Sequence, residues 1–90
     1  MSDQEKPKIE FPCPDYVIKI MGDADITFQH DVEEIVEHFA PGFDRSKTTA
    51  KVSAKGNYLS VNVWITATGT EQLESLHQGL QKDSRVKMVL

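Results

Sequence analysis

The chain has 90 residues, the size of one domain, and 39% of them are hydrophobic, enough for one small core. Its single cysteine excludes an internal disulfide. No apolar run approaches the roughly 20 residues that cross a bilayer, and the polar start at 1–8 lacks the apolar stretch of a signal peptide. We therefore expect a soluble cytoplasmic protein that does not bind membranes.

Charge is distributed unevenly along the chain, whose net charge is −4. Residues 21–44 contain seven acidic residues and no Lys or Arg, whereas residues 45–70 contain four basic residues and no acidic one. This pattern predicts an acidic helical side and a more basic sheet side, an asymmetry that can orient a partner. Ordinary solvated surface charge is the alternative interpretation.

The N-terminal half predicts an arm, a strand and a helix. Residues 1–14 are expected to form an extended arm, because prolines at 7, 12 and 14 disfavour a helix or a central strand. Residues 15–90 are expected to form a single domain. A strand is predicted over 16–21, ended by Gly22, with even-numbered side chains inward. A helix follows, because apolar side chains recur at helical spacing: Phe28, Val32, Ile35, Val36 and Phe39.

The C-terminal half predicts two strands, a helix and a last strand. Residues 49–55 alternate in polarity and are joined through a two-residue Gly56-Asn57 turn to a second alternating strand that starts at Tyr58. Thr68 and Glu71 fit a capping box for a second helix. The apolar side of that helix carries Leu73, Leu76, His77 and Leu80, and a final strand is predicted over 85–90.

The resulting order is β-α-β-β-α-β. Two amphipathic helices must cover the apolar side of one sheet, and right-handed crossovers leave one common arrangement. We therefore predict an α+β fold, a ferredoxin-like βαββαβ sandwich with a four-stranded antiparallel sheet in the order 4-1-3-2 and both helices on one side.

The uncovered side of that sheet is the candidate site. Apolar side chains expected there are Val17, Met21, Trp64 and Val89, next to lysines. An apolar patch rimmed by charge is typical of an interface. The candidate ligand or partner surface consists of Lys19, Met21, Lys51, Asn62, Trp64 and Lys87. The alternative is that the N-terminal arm, with Phe11 against Trp64, or a dimer partner covers this side.

The sequence offers no catalytic signature. His30, Glu34 and His38 share one stripe of the first helix, but that stripe is expected to be solvated and has no evident fourth ligand. Cys13 lies between prolines, with no nearby base to activate it. We therefore predict a non-enzymatic protein without cofactor or metal.

RNA binding is a weaker alternative. The RNA recognition motif shares the predicted topology and carries stacking aromatics on its third strand. Aligned on Lys55-Gly56, those positions hold Asn57 and Leu59. The net negative charge also opposes phosphate binding, so nucleic acid is not an expected partner.

Several segments together resemble the YbeD-like family of small bacterial proteins. They are Glu10-Phe11-Pro12-Cys13-Pro14, Ile20-Met21-Gly22, the stretch from Ser53 to Val61 containing Lys-Gly-Asn-Tyr, and the end from Arg85 to Leu90. The resemblance covers residues 9–90. It implies a ferredoxin-like fold similar to ACT regulatory domains and a link to lipoate metabolism, and it brings no established catalytic residues.

Our functional hypothesis is therefore a non-enzymatic regulatory or interaction domain of ACT-like form. The expected partners are a second copy, another protein or a small molecule. One hypothesis has the backbone amides of Met21-Gly22-Asp23, near the first helix, receive a carboxylate, although Asp23 and Asp25 would repel it. The alternatives are a protein-interaction module that uses the open side of the sheet and a weak RNA-binding protein.

Overall fold

The computed structural model describes residues 11–90. The elements are β1 (Cys13–Asp23), α1 (Phe28–Phe39), a single 3-10 turn (Arg45–Lys47), β2 (Thr49–Val52), β3 (Tyr58–Ala67), α2 (Thr70–Gln81) and β4 (Val86–Val89). Neither helix in this part of the chain is long and apolar enough to cross a membrane.

The four strands form one antiparallel sheet in the order β2-β3-β1-β4. This is the predicted order 4-1-3-2 read from the opposite edge, so the ferredoxin-like α+β fold is confirmed. β1 and β3 form the centre, where Ile18 lies opposite Val63 and Ile20 lies opposite Val61. All four side chains are buried, because alternate residues of both strands point to the same side.

Both helices pack against that side of the sheet. The α1 stripe contributes Phe28, Val32 and Val36, each fully buried, as the helical spacing predicted. α2 contributes Leu76 and Leu80. His77, expected at the edge of this apolar stripe, is instead exposed.

β1 starts earlier than its sequence suggested. The strand begins at Cys13 and includes Pro14, at a register irregularity between Cys13 and Tyr16 where Asp15 has a φ of 56°. A bulge leaves a backbone group outside the ladder and so tolerates proline. The expectation that Pro14 excludes a central strand is therefore wrong. Residues 1–10 of the predicted arm lie outside the described residues.

Two local predictions also differ from the structure. The β2–β3 hairpin exists, but its connection spans residues 53–57, with the Gly56 amide donating to the Ser53 carbonyl over 2.9 Å. α2 begins at Thr70, so Thr68 and Glu71 do not form a capping box. Instead, Gln72 Oε1 accepts the Thr68 amide proton over 2.8 Å.

β4 contains a bulge, and the residues on its two sides therefore do not follow one alternating pattern. Met21 pairs with Met88, but the next residue, Gly22, pairs with Val86, so Lys87 is the extra residue. Val86 and Val89 consequently both pack against the core. The expectation that Val89 lies on the uncovered side is wrong, and Met88 lies there in its place.

Candidate functional site: the open side of the sheet

The side of the sheet opposite the helices, here called the open face, is assembled from alternate residues of β1, β2 and β3 and from two consecutive residues of β4. β1 contributes Val17, Lys19, Met21 and Asp23; β2 contributes Thr49 and Lys51; β3 contributes Tyr58, Ser60, Asn62, Trp64 and Thr66; and β4 contributes Lys87 and Met88. None of these side chains belongs to the buried core.

The structure brings five of the six candidate residues onto adjoining positions of the open face and puts Lys87 at its edge. Lys19 is directly opposite Asn62, which in turn is opposite Thr49. Lys51 is opposite Ser60 on the outer side of β3. Asn62 Nδ2 donates to Thr49 Oγ1 over 3.2 Å, which ties β2 to β3 on this side.

Two apolar pairs cross the open face. Val17 lies opposite Trp64, and Met21 lies opposite Met88. Val17 is 49% exposed and Met88 is 47% exposed, whereas Trp64 and Met21 are partly buried by their neighbours. Val17 and Met88 were absent from the predicted site residues. Strand alternation does indicate Val17, but no sequence signal reveals the bulge that turns Met88 outward.

Lys87 on the open face and Lys47, in the 3-10 turn, each have a carboxylate nearby. Lys87 Nζ lies 3.8 Å from Asp23 Oδ1, and Lys47 Nζ lies 3.1 Å from Asp15 Oδ1. Within residues 11–90, no carboxylate lies within 4 Å of the ammonium group of Lys19 or Lys51. The centre of the open face is therefore positive, although the chain as a whole is negative.

The corner between β1 and α1, the other candidate site, is occupied by the protein's own side chains. Arg85 Nη2 lies 2.8 Å from Asp31 Oδ2 and 2.6 Å from Asp83 Oδ2, and its Nη1 lies 3.5 Å from Asp25 Oδ1. The guanidinium also stands 5.3 Å from the centroid of the Phe28 ring. A partly buried cation in the α2–β4 turn thus joins α1, the loop before α1 and that turn itself.

Hydrogen bonds from Arg85 lower the pKa values of the Asp31 and Asp83 carboxyls. The pKa of Asp25 is lowered chiefly by a hydrogen bond from the Thr27 backbone amide. The Thr27 hydroxyl and the nearby Arg85 guanidinium lower it further. The same carboxylates raise the pKa of the Arg85 guanidinium. All four groups are charged at neutral pH and satisfy one another.

The backbone amides at this corner are also engaged. The Asp23 amide donates to the Arg85 carbonyl over 3.0 Å, and the Ala24 amide donates to the Asn57 carbonyl over 3.1 Å. The Thr27 amide donates to Asp25 Oδ1 over 2.9 Å. A carboxylate ligand would have to displace these bonds and approach three aspartates, so the geometry opposes the hypothesis that this loop receives one.

On the helical side, the stripe of His30, Glu34 and His38 on α1 is exposed, as expected from the sequence. Glu34 Oε2 lies 3.0 Å from Arg45 Nη2 and 3.9 Å from Nε2 of the exposed His30. A small apolar cleft of about 80 Å³ lies between α2 and the β1–β4 edge, next to a shallow groove of about 430 Å³ along the outside of α2. His77 lines both.

Solved structures share this fold. Protein HP0495 from H. pylori superimposes with a TM-score of 0.76 and 22% identity, over 100% of this chain and 93% of that one. The ACT domain from GTP pyrophosphokinase of Chlorobium tepidum superimposes with a TM-score of 0.58 and 23% identity, over 84% of this chain and 96% of that one. At these identities the likeness establishes the fold alone.

Relatives in sequence establish the family. The chain is 47% identical over 89 residues to a UPF0250 protein from Azotobacter vinelandii, covering 99% of this chain and 97% of that protein. It is 47% identical over 88 residues to a UPF0250 protein from Pseudomonas aeruginosa, covering 98% and 95%. Residues 6–90 match the family described as "Protein of unknown function (DUF493)". The chain therefore belongs to the DUF493 family, the YbeD-like proteins that the sequence motifs indicated.

Proposed function

We propose that this chain is a non-enzymatic regulatory domain that acts by binding another protein through the open face. The observation that carries the proposal is the two apolar cross-strand pairs, Val17 opposite Trp64 and Met21 opposite Met88, which the helices leave uncovered within residues 11–90. Exposed apolar groups with a charged rim are the usual composition of a protein interface.

Two further observations support a binding role over a chemical one. The side chains with reactive potential lie on different elements: the Cys13 thiol, on β1, is 3.9 Å from the neighbouring Pro14 carbonyl, and His30, on the outside of α1, is 3.9 Å from Glu34. The fold is also that of an ACT domain found in a GTP pyrophosphokinase, an example of such a unit within a larger protein.

Capture from an extract of cells that make the protein tests the role of the open face. We expect Val17→Asp and Trp64→Ala to lose captured proteins that the wild type retains. Gln78→Asp is the matched control, because Gln78 is exposed on α2, away from the open face. Equal capture by all variants, each checked for folding by circular dichroism, would contradict the proposed role of this face.

In a second form of the proposal, the domain binds a small molecule. The link to lipoate metabolism that the family resemblance implies makes lipoate and octanoate the first ligands to test. The filled β1–α1 corner argues against free carboxylates at that position, as described above. Thermal-shift measurements with lipoate, octanoate and amino acids test this version, because a ligand that binds only the folded state raises the unfolding temperature. No shift at millimolar ligand would remove the small-molecule version and leave the protein-binding proposal in place.

A further inference from the structure

We infer that the partner is an acidic, amphipathic protein segment that lies across the open face. This inference rests on the proposed function and specifies the chemistry of the partner. It follows from three properties of the face: its charge, its resistance to pairing with itself and the spacing of its apolar groups.

The charge of the face selects an acidic partner. Asp23 and Asp15 are already near Lys87 and Lys47, whereas Lys19 and Lys51 have no carboxylate within 4 Å among residues 11–90. Burying either ammonium group without a counter-charge is unfavourable. A partner that covers the face must therefore supply carboxylates at these two positions.

The same charges oppose a second copy of the chain as the occupant. In a two-fold face-to-face pair, the Lys19 and Lys51 side chains of one copy would approach those of the other. Like charges brought together in this way weaken association. The acidic side chains of α1, such as Glu33 and Glu34, belong to the opposite, helical side of the molecule and do not compensate for them.

The apolar spacing indicates the form of the partner. Val17 and Met21 are four residues apart on β1, which separates their cross-strand pairs by about 13 Å. On a helix the separation closest to this distance that keeps both side chains within one apolar stripe is eight residues, or roughly 12 Å. Lys19 lies between the two pairs. A helix with apolar side chains at both ends of that span and carboxylates between them would match the face, and the methionines can adjust to its shape.

Trp64 provides a probe of the face, because it is the chain's single tryptophan. We would titrate the whole protein with three synthetic helical peptides. The first has two apolar anchors eight residues apart and glutamates between them on the same side, the second replaces the glutamates with lysines, and the third scrambles the first. We expect a saturable blue shift of Trp64 emission with the first peptide only.

Charge variants separate specific docking from general attraction. We expect Lys19→Glu with Lys51→Glu to weaken binding of the acidic peptide by at least about tenfold. Lys55→Glu with Lys82→Glu, which makes the same charge change away from these positions, should weaken it by less than about threefold. Both sets should keep the wild-type circular dichroism spectrum. Equal losses in the two sets would overturn the inference.

Other occupants would give distinct results, each of which overturns the inference. A second copy would make Trp64 emission and sedimentation depend on protein concentration without peptide. Coverage by the N-terminal segment would make emission shift to the red when residues 1–10 are removed. A single-stranded RNA oligonucleotide would shift emission more strongly than the acidic peptide. If capture depends on Val17 while the acidic peptide fails to bind, the proposed function stands and only this inference fails.

Discussion

Gly22 lies where the end of β1 passes beneath the first residue of α1. A methyl group added there would overlap the Phe28 ring and would stand 2.6 Å from the Arg85 carbonyl oxygen. The carbonyl belongs to backbone that is held by the Asp23 amide, so it cannot easily move. We expect Gly22→Ala to lower the free energy of unfolding by about 1–3 kcal/mol, measured by urea denaturation.

The matched control for this substitution is Gly69→Ala. Gly69 precedes α2 in an extended conformation, with a φ of 169°, and a Cβ there would meet no atom within 4 Å. We expect this change to alter the free energy of unfolding by less than about 1 kcal/mol. Comparable losses at both glycines would show that close packing against Phe28 is not what requires glycine at position 22.

The Arg85 cluster makes a prediction about acid stability. Because the folded pKa values of Asp31 and Asp83 are lowered by Arg85, the unfolded chain takes up protons first as the pH falls. Their contribution to stability is present above an unfolded pKa of about 4 and is lost below it. We expect Arg85→Met to lower the urea midpoint at neutral pH and to reduce its further fall between about pH 4 and pH 2.

Lys82→Met is the control for Arg85→Met, since Lys82 is exposed at the end of α2 and is also a basic residue. It should leave the acid dependence of the urea midpoint as it is in the wild type. An unchanged acid dependence in Arg85→Met as well would mean that these carboxylates gain nothing from Arg85 in the folded state. No sequence pattern predicted this cluster, because Asp25 and Asp31 are far from Arg85 in the sequence and contact it only in the folded protein.

At the scale of elements, Gln72 connects the two helices. Its Oε1 accepts the Thr68 amide proton over 2.8 Å, and its Nε2 donates to the Phe39 carbonyl at the end of α1 over 3.0 Å. We expect Gln72→Ala to lower the free energy of unfolding by about 1–2 kcal/mol, because both backbone groups lose their partner. Gln78→Ala, on the exposed side of α2, should cost less than about 0.5 kcal/mol in the same urea experiment.

Gln72→Glu distinguishes the two hydrogen bonds. The carboxylate can still accept from the Thr68 amide, but it cannot donate to the Phe39 carbonyl and would repel that oxygen. We therefore expect a loss at neutral pH that diminishes when the carboxyl is protonated. A glutamate variant as stable as the wild type at neutral pH would rule out the helix-to-helix bond as a source of stability.

The sequence predicted which helices and strands form more accurately than it predicted the residues at which they begin and end. Helical spacing from Phe28 to Phe39 and strict alternation from Tyr58 to Ala67 identify α1 and β3, because burial on one side leaves a period that can be read directly. The start of α2 depends on Gln72 reaching back to Thr68, and the hairpin turn depends on backbone bonds around Ser53. These contacts leave no periodic signal.

At the scale of the whole molecule, the sequence predicted which side of the sheet is open but not all that lies on it. Trp64 and the lysines follow from strand alternation once the helices are assigned to one side. The position of Met88 does not follow from alternation, because the extra residue Lys87 shifts the alternation of β4 by one residue. The sequence therefore placed the residues at the centre of the face correctly and missed Met88 at its β4 edge.

A one-sided core makes a prediction about neighbouring residues of β3. Val63 is fully buried beneath the helices, whereas Trp64 lies on the open face against Val17. Although tryptophan is much the larger side chain, we expect Val63→Ala to cost about 2–3 kcal/mol of unfolding free energy and Trp64→Ala less than about 1.5 kcal/mol. Urea denaturation followed by circular dichroism measures both without relying on tryptophan emission.

The stabilities of Val63→Ala and Trp64→Ala also test the proposed interface. If Trp64→Ala is nearly as stable as the wild type but fails to capture a partner, the residue serves binding and not folding. If instead it costs more than Val63→Ala, Trp64 is part of a second core, and the open face is covered within the protein. In that case the lysines around it would be a solvated rim, and the partner would have to bind elsewhere.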